Sequence, residues 1–155
     1  MIFSFYSKQT VPPRKLLYIA DEYSLAFEPF DTNVSAGILF GSTTELGVIR
    51  ETGEIVSFYG YSPKKTWIRH NLTPPSASKG SLFVSLLSFT APLNKGECIE
   101  YDRHCLTFYD EKLKYICIGD YETRESDDCI CFAGDIVAVV REGSLVAIWA
   151  NIEEI

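Results

Sequence analysis

The residues in this 155-residue chain with the clearest capacity for chemistry are five cysteines, Cys98, Cys105, Cys117, Cys129 and Cys131, and two histidines, His70 and His104. Metal binding is the first chemistry to weigh. Cys129 and Cys131 lie two apart and share a face if they stand on a strand, and Cys98, His104, Cys105 and Cys117 would have to converge on them. Structural zinc sites are usually built from pairs spaced C-x2-C, and none occurs here. Thiols alternating with Ile130 and Phe132 read instead as small hydrophobes that fill a core, and neither a bound metal nor any other cofactor is expected.

Thiol catalysis needs a cysteine with a base in reach and an electropositive setting. His104 and Cys105 are neighbours, so on a strand they emerge on opposite faces, and His70 would have to approach from elsewhere. The surrounding half of the chain is acidic, which raises thiol pKa values. Paired-carboxylate catalysis needs burial against apolar groups, whereas the densest acidic run, residues 120–128, is polar throughout and reads as a solvated loop. There is no Gly-rich phosphate loop, G-x-S-x-G elbow, H-E-x-x-H or calcium loop. No catalytic role is expected.

Charge is more informative. The net charge is −7, and it is uneven: residues 1–80 carry eight Lys/Arg against seven Asp/Glu, residues 81–155 six against fourteen. Within residues 120–128 stand Asp120, Glu122, Glu125, Asp127 and Asp128, with Tyr121 and a single cation, Arg124. A field of this sign repels phosphate backbones and attracts basic surfaces, so direct nucleic-acid binding is not expected. Nearby, Tyr101, Phe108 and Tyr109 stand beside Glu100, Asp102, Asp110 and Glu111. Aromatic anchors within a carboxylate rim suit a basic protein partner: rings bury area at low entropy cost and charge steers the encounter.

Short apolar runs and period-two alternation position these groups, and the pattern predicts one mainly β domain over 1–155, an antiparallel sandwich or partly closed barrel with at most one or two short helices. One strand is expected from Lys15 to Phe27, continuing past Asp21 and Glu22, and a short one over Gly37 to Phe40. Leu46 to Arg50 and Ile55 to Tyr59 form a hairpin in which Gly53 supplies the positive φ of the turn. Leu82 to Phe89 fits either a helical or a strand face. The last third reads as a meander: Glu97 to Tyr101, His104 to Tyr109, Leu113 to Gly119, Cys129 to Ala133, Asp135 to Arg141 and Ser144 to Ala150. Neither face of the final hairpin is polar, so it is expected to be covered on both sides. With 10 Phe, 9 Tyr and 2 Trp, 14% of residues are aromatic, which excludes a disordered chain.

The start of the chain has no basic region, and Lys8 interrupts its apolar residues, so no export signal is expected. No apolar stretch approaches the ~18 residues of a membrane span. A soluble cytoplasmic protein with reduced thiols follows as an expectation, with Asn71-Leu72-Thr73 an unused glycosylation acceptor.

Two segments, Phe58-Tyr59-Gly60-Tyr61-Ser62-Pro63 with Trp67, and Gly134 to Trp149, resemble small bacterial β-proteins encoded beside polymorphic toxins, the immunity proteins of the contact-dependent growth inhibition type. The resemblance spans about a quarter of the chain, and the family, being structurally heterogeneous, supplies no invariant functional residues to carry over. What it implies is a mode of action: a small cytoplasmic bacterial protein binds a cognate basic toxin, often a nuclease, and blocks it. The expected contact surface, from charge and aromatics, is Asp120, Tyr121, Glu122, Glu125, Asp127 and Asp128 with Tyr109, Asp110 and Glu111. A β-barrel or sandwich holding a small apolar ligand is the alternative that the aromatic content allows.

Overall fold

Alternating burial dictates the strands. The computed structural model describes residues 1–102 and 104–155. It is mainly β, with 52% of residues in strands and 6% in short helical turns. The fourteen strands are β1 (Phe3–Ser7), β2 (Lys15–Ile19), β3 (Ser24–Glu28), β4 (Ala36–Phe40), β5 (Thr44–Ile49), β6 (Glu54–Tyr61), β7 (Ile68–Arg69), β8 (Ser78–Val84), β9 (Cys98–Asp102), β10 (Thr107–Asp110), β11 (Tyr115–Gly119), β12 (Asp128–Ala133), β13 (Ile136–Arg141) and β14 (Ser144–Glu154). Three-residue 3-10 turns lie at Ala20–Glu22, Lys64–Thr66 and Leu86–Ser88. Among the described residues, no helix is long and apolar enough to cross a membrane.

The strands make one mixed sheet that curls into a ring. Its circuit runs β8-β12-β13-β14-β2-β3-β6 and returns to β8 through Glu54↔Phe83 and Ile55↔Leu82. β1 borders β8, β5-β4-β9 extend from β6, and β11-β10-β7 extend from β14. Four pairings are parallel: β14–β2, β4–β9, β12–β8 and β10–β7. The expected hairpin between β5 and β6 is present, and Gly53 turns it at φ +79°. A Cβ at Gly53 would lie 2.2 Å from the Val84 carbonyl, so glycine also lets β8 pass close by.

Elsewhere the structure departs from the simple pattern: the single strand expected over Lys15 to Phe27 is an antiparallel β2–β3 hairpin, turned by the 3-10 residues Ala20–Glu22. The last third is not a continuous meander: β9 leaves it to pair with β4, and β11 docks on β14 instead of β12. Eight residues, 120–127, carry the chain from β11 to β12, because a carboxylate-rich stretch of that length cannot close a tight hairpin. Leu82 to Phe89 is divided, strand to Val84 and then a single 3-10 turn.

Two apolar layers result. Every strand of the ring contributes to the main cluster, which includes Leu16, Tyr18, Leu25, Phe27, Phe58, Leu82, Ile130, Ala138 and Ile148. The opposite face of β10 to β14 carries a second cluster built on Leu72, Cys117, Cys131, Val137, Val139, Ala147 and Trp149, joined by Val11, Phe108 and Tyr121. Cys117, Trp149, Val137 and Cys131 are successive cross-strand neighbours in one row. Residues 136–140 and 145–150 are therefore covered on both faces, as their sequence requires.

Leu82 is fully buried where the ring closes, whereas Leu87 is 96% exposed on the neighbouring turn. Leu82→Ala is expected to cost about 2–5 kcal/mol in urea unfolding, and Leu87→Ala less than about 0.5 kcal/mol. Equal costs would contradict the assigned closure.

Candidate functional site: an anionic loop and an aromatic cleft

The acidic run from Asp120 to Asp128 would repel itself if nothing neutralised it. Arg141, the last residue of β13, does so. Its Nε donates to Asp127 Oδ1 at 2.8 Å, Nη2 to Asp127 Oδ2 at 2.9 Å, and Nη1 to Asp120 Oδ2 at 2.8 Å. Nη2 also reaches the Glu122 carbonyl at 3.1 Å. The Asp127 side chain is fully buried and that of Arg141 is 15% exposed. The planar fork of arginine meets a carboxylate with two parallel bonds, which fixes geometry as well as charge.

The same carboxylates organise the loop backbone. Asp127 Oδ2 accepts the Arg124 N–H at 2.8 Å, and Asp120 Oδ1 accepts that of Glu122 at 2.9 Å. The Arg141 hydrogen bond holds the Asp127 carboxyl below the usual carboxylate range. For Asp120, burial pushes upward, but the bonds from Arg141 and the Glu122 N–H outweigh it and the net direction is down. Both aspartates raise the pKa of Arg141 in turn.

What remains outward is smaller than the full run. Glu122, Glu125 and Asp128 are exposed, and among the described residues no cation is ion-paired with them. Tyr121 is half-buried, its ring 4.6 Å from that of Phe108 and 4.3 Å from that of His70. Of the nine residues expected at the surface, Asp120 and Asp127 thus shape the loop, while Glu122, Glu125, Asp128 and Tyr121 present it.

The other three stand at the β10–β11 turn. Tyr109 is buried, its ring 5.4 Å from Trp67 and the Lys64 ammonium 5.0 Å above it. Asp110 is buried too: Oδ2 accepts the Leu72 N–H, and Oδ1 those of Lys112 and Leu113. These bonds, the one from Leu72 foremost, lower its pKa and anchor the segment that covers the second apolar layer. Glu111 alone is exposed, 3.5 Å from Arg69.

Beside the acidic loop lies a cleft of about 530 Å³, bounded by Tyr101, Asp102, Leu106, Phe108, Asp120, Tyr121 and Arg141 and floored by the start of β14. It opens where the two apolar layers meet, because Tyr101 and Leu145 belong to the first and Phe108, Tyr121 and Val146 to the second. The Tyr101 hydroxyl donates to the Leu145 carbonyl at 3.1 Å. The Gly119 N–H donates to Leu106 O and the Asp120 N–H to Val146 O, both at 2.9 Å. Gly119 has φ +108°, and a Cβ there would lie 2.2 Å from Val146 O, so only glycine lets β11 end this tightly against β14. Sequence reasoning found the aromatics and carboxylates but missed Arg141. The available signal was that Arg141 is the sole cation between residues 125 and 155.

Of the five thiols, Cys105 borders the cleft. All five are free. Burial first, then Glu45, whose Oε2 accepts from Sγ at 2.8 Å, pushes Cys98 up to about 12; burial and Asp102 push Cys105 up to about 12. Among the described residues, no cluster of three or more His, Cys, Asp or Glu could hold a metal.

Two outcomes follow from these charges. In unfolded chains Asp carboxyls titrate near pH ~4; Asp120 and Asp127 titrate lower when folded. The stability they contribute is complete above that unfolded value and is lost as pH falls through the folded ones. Arg141→Gln should cost about 2 kcal/mol at neutral pH, between the values for exposed and fully buried pairs, and should make the acid slope of stability shallower. An unchanged slope in urea unfolding from pH 3 to 7 would contradict the clamp. Alkylation of Cys98 by iodoacetamide should be slow at pH 7 and rise about tenfold per pH unit beyond pH 9; a plateau below pH 8 would show an activated thiol.

No protein-family model matches this chain, and no curated protein matches it either.

Proposed function

We propose that this protein is a non-enzymatic binding protein whose anionic loop engages a basic protein partner, and that the partner is a bacterial toxin, such as a nuclease, which it neutralises. The observation that carries this reading is the division of labour within one loop. Asp120 and Asp127 spend their charge on Arg141, and the backbone they fix holds Glu122, Glu125 and Asp128 exposed. Carboxylates carried on a backbone fixed in advance lose less entropy on docking and can occupy a groove built for phosphates. The raised thiol pKa values of Cys98 and Cys105 weigh against thiol catalysis. The resemblance to immunity proteins supplies the toxin as partner and the cytoplasm as compartment.

Against the alternative, a small apolar ligand held inside the sheet, weighs the close clustering of its buried side chains. Leu16, Tyr18, Leu25, Phe27, Phe58 and Leu82, all at most 2% exposed, fill the main cluster.

The test is association with the basic toxin domain that this reading requires beside the protein's gene. A Glu122→Lys/Glu125→Lys/Asp128→Lys variant should associate at least tenfold more slowly at low salt, with a flatter dependence on ionic strength, and should fail to protect cells. Unchanged association and protection, or the absence of any basic toxin domain beside the gene, would contradict the reading.

A further inference from the structure

The surface so far described is one of charge, and charge alone gives an encounter without an anchor. The cleft next to it has a chemistry of its own. Three rings bound it, those of Tyr101, Phe108 and Tyr121, and two carboxylates, Asp102 and Asp120. Among the described residues that line it, the one cation, Arg141, is already committed: its guanidinium donates to both oxygens of Asp127, to Asp120 and to the Glu122 carbonyl. Among these described residues two carboxylates stand against one guanidinium, so their surplus is negative. Aromatic faces and surplus carboxylate together select a cation with a planar face, since π-systems attract cations and a guanidinium can stack on a ring while donating to a carboxylate.

Resting on the proposed binding of a basic partner, we infer that this cleft is the anchor pocket for one arginine side chain of that partner. The guanidinium lies against the rings of Phe108 and Tyr121 and donates to Asp102 and Asp120. Charge complementarity selects arginine over an apolar side chain. Continuity with the loop places the partner's other cations against Glu122, Glu125 and Asp128, because Arg141 ties the cleft wall to the Glu122 carbonyl. The pocket is built before the partner arrives: Tyr121 is packed between Phe108 and His70, Tyr101 is bonded to Leu145, and Gly119 fixes the seam.

The probe is a capped glycyl-arginyl-glycine amide, compared with its neutral citrulline counterpart by NMR titration of the full chain. The arginine peptide should shift the ring signals of Tyr101, Phe108 and Tyr121 saturably, and the citrulline peptide should bind at least tenfold more weakly. Asp102→Asn, which retains an oxygen to accept the His104 N–H, and Phe108→Leu, which retains apolar volume, should each weaken the arginine peptide severalfold while leaving the amide spectrum folded. Equal binding of the two peptides, or shifts confined to residues 122–128, would overturn the pocket. If the toxin domain binds this protein but the arginine peptide does not, the anchor is wrong and the partner stands. If the peptide binds the cleft and no toxin does, the pocket stands and the proposed partner falls.

Discussion

One ion-pair network, Arg141 with Asp127 and Asp120, shapes the acidic end of this molecule. Five carboxylates in nine residues have no reason to adopt one conformation in water, where mutual repulsion spreads them. A guanidinium at the end of β13 reverses that preference. It clamps two of the carboxylates, takes the Asp127 side chain out of solvent, and lets both carboxylates bind the loop's own N–H groups. Burying such a pair brings little net stability compared with apolar packing, but leaving either partner alone is costly. Its effect is therefore to specify a shape. The exposed Glu122, Glu125 and Asp128 inherit that shape.

The sheet beneath the loop is apolar on both faces, and this places a second demand on the chain. Trp149, Cys117 and Cys131 lie on the outer layer and need a cover. Residues 70–77 provide one, with Leu72 packed inward, and Asp110 holds that segment by accepting the Leu72 N–H. Small thiols suit the buried positions of Cys117, between Trp149 and Phe108, and of Cys131, beside Val137, where they fill space between larger side chains. Tyr109 and Asp110 are likewise drawn into the structure, and Tyr121 bridges the cover and the acidic loop through His70 and Phe108.

Local pattern made several elements legible from sequence. The β5–β6 hairpin followed from Gly53 between two apolar runs, and the double burial of β13 and β14 from the absence of a polar face. Pairing order was not legible, because alternation says which face a residue takes and not which strand lies beside it. The parallel contacts of β14 with β2 and of β9 with β4, and the edge strand β1, depend on closure of the ring. At the candidate site, residue types were visible but roles were not. Which aspartates are clamped is decided by Arg141, distant in sequence and adjacent in space. Asp110 carried a weak local sign, since an aspartate opening a turn bonds the N–H groups two and three residues on.

Amide hydrogen exchange at Glu122 and Arg124 tests the account most directly, because these N–H groups bond only to the carboxylates that Arg141 holds. The account predicts protection well above that of an open loop, lost in Arg141→Gln while β13 stays protected. Exchange at open-loop rates in the unaltered protein would contradict it, since the loop would then present no fixed surface to a partner.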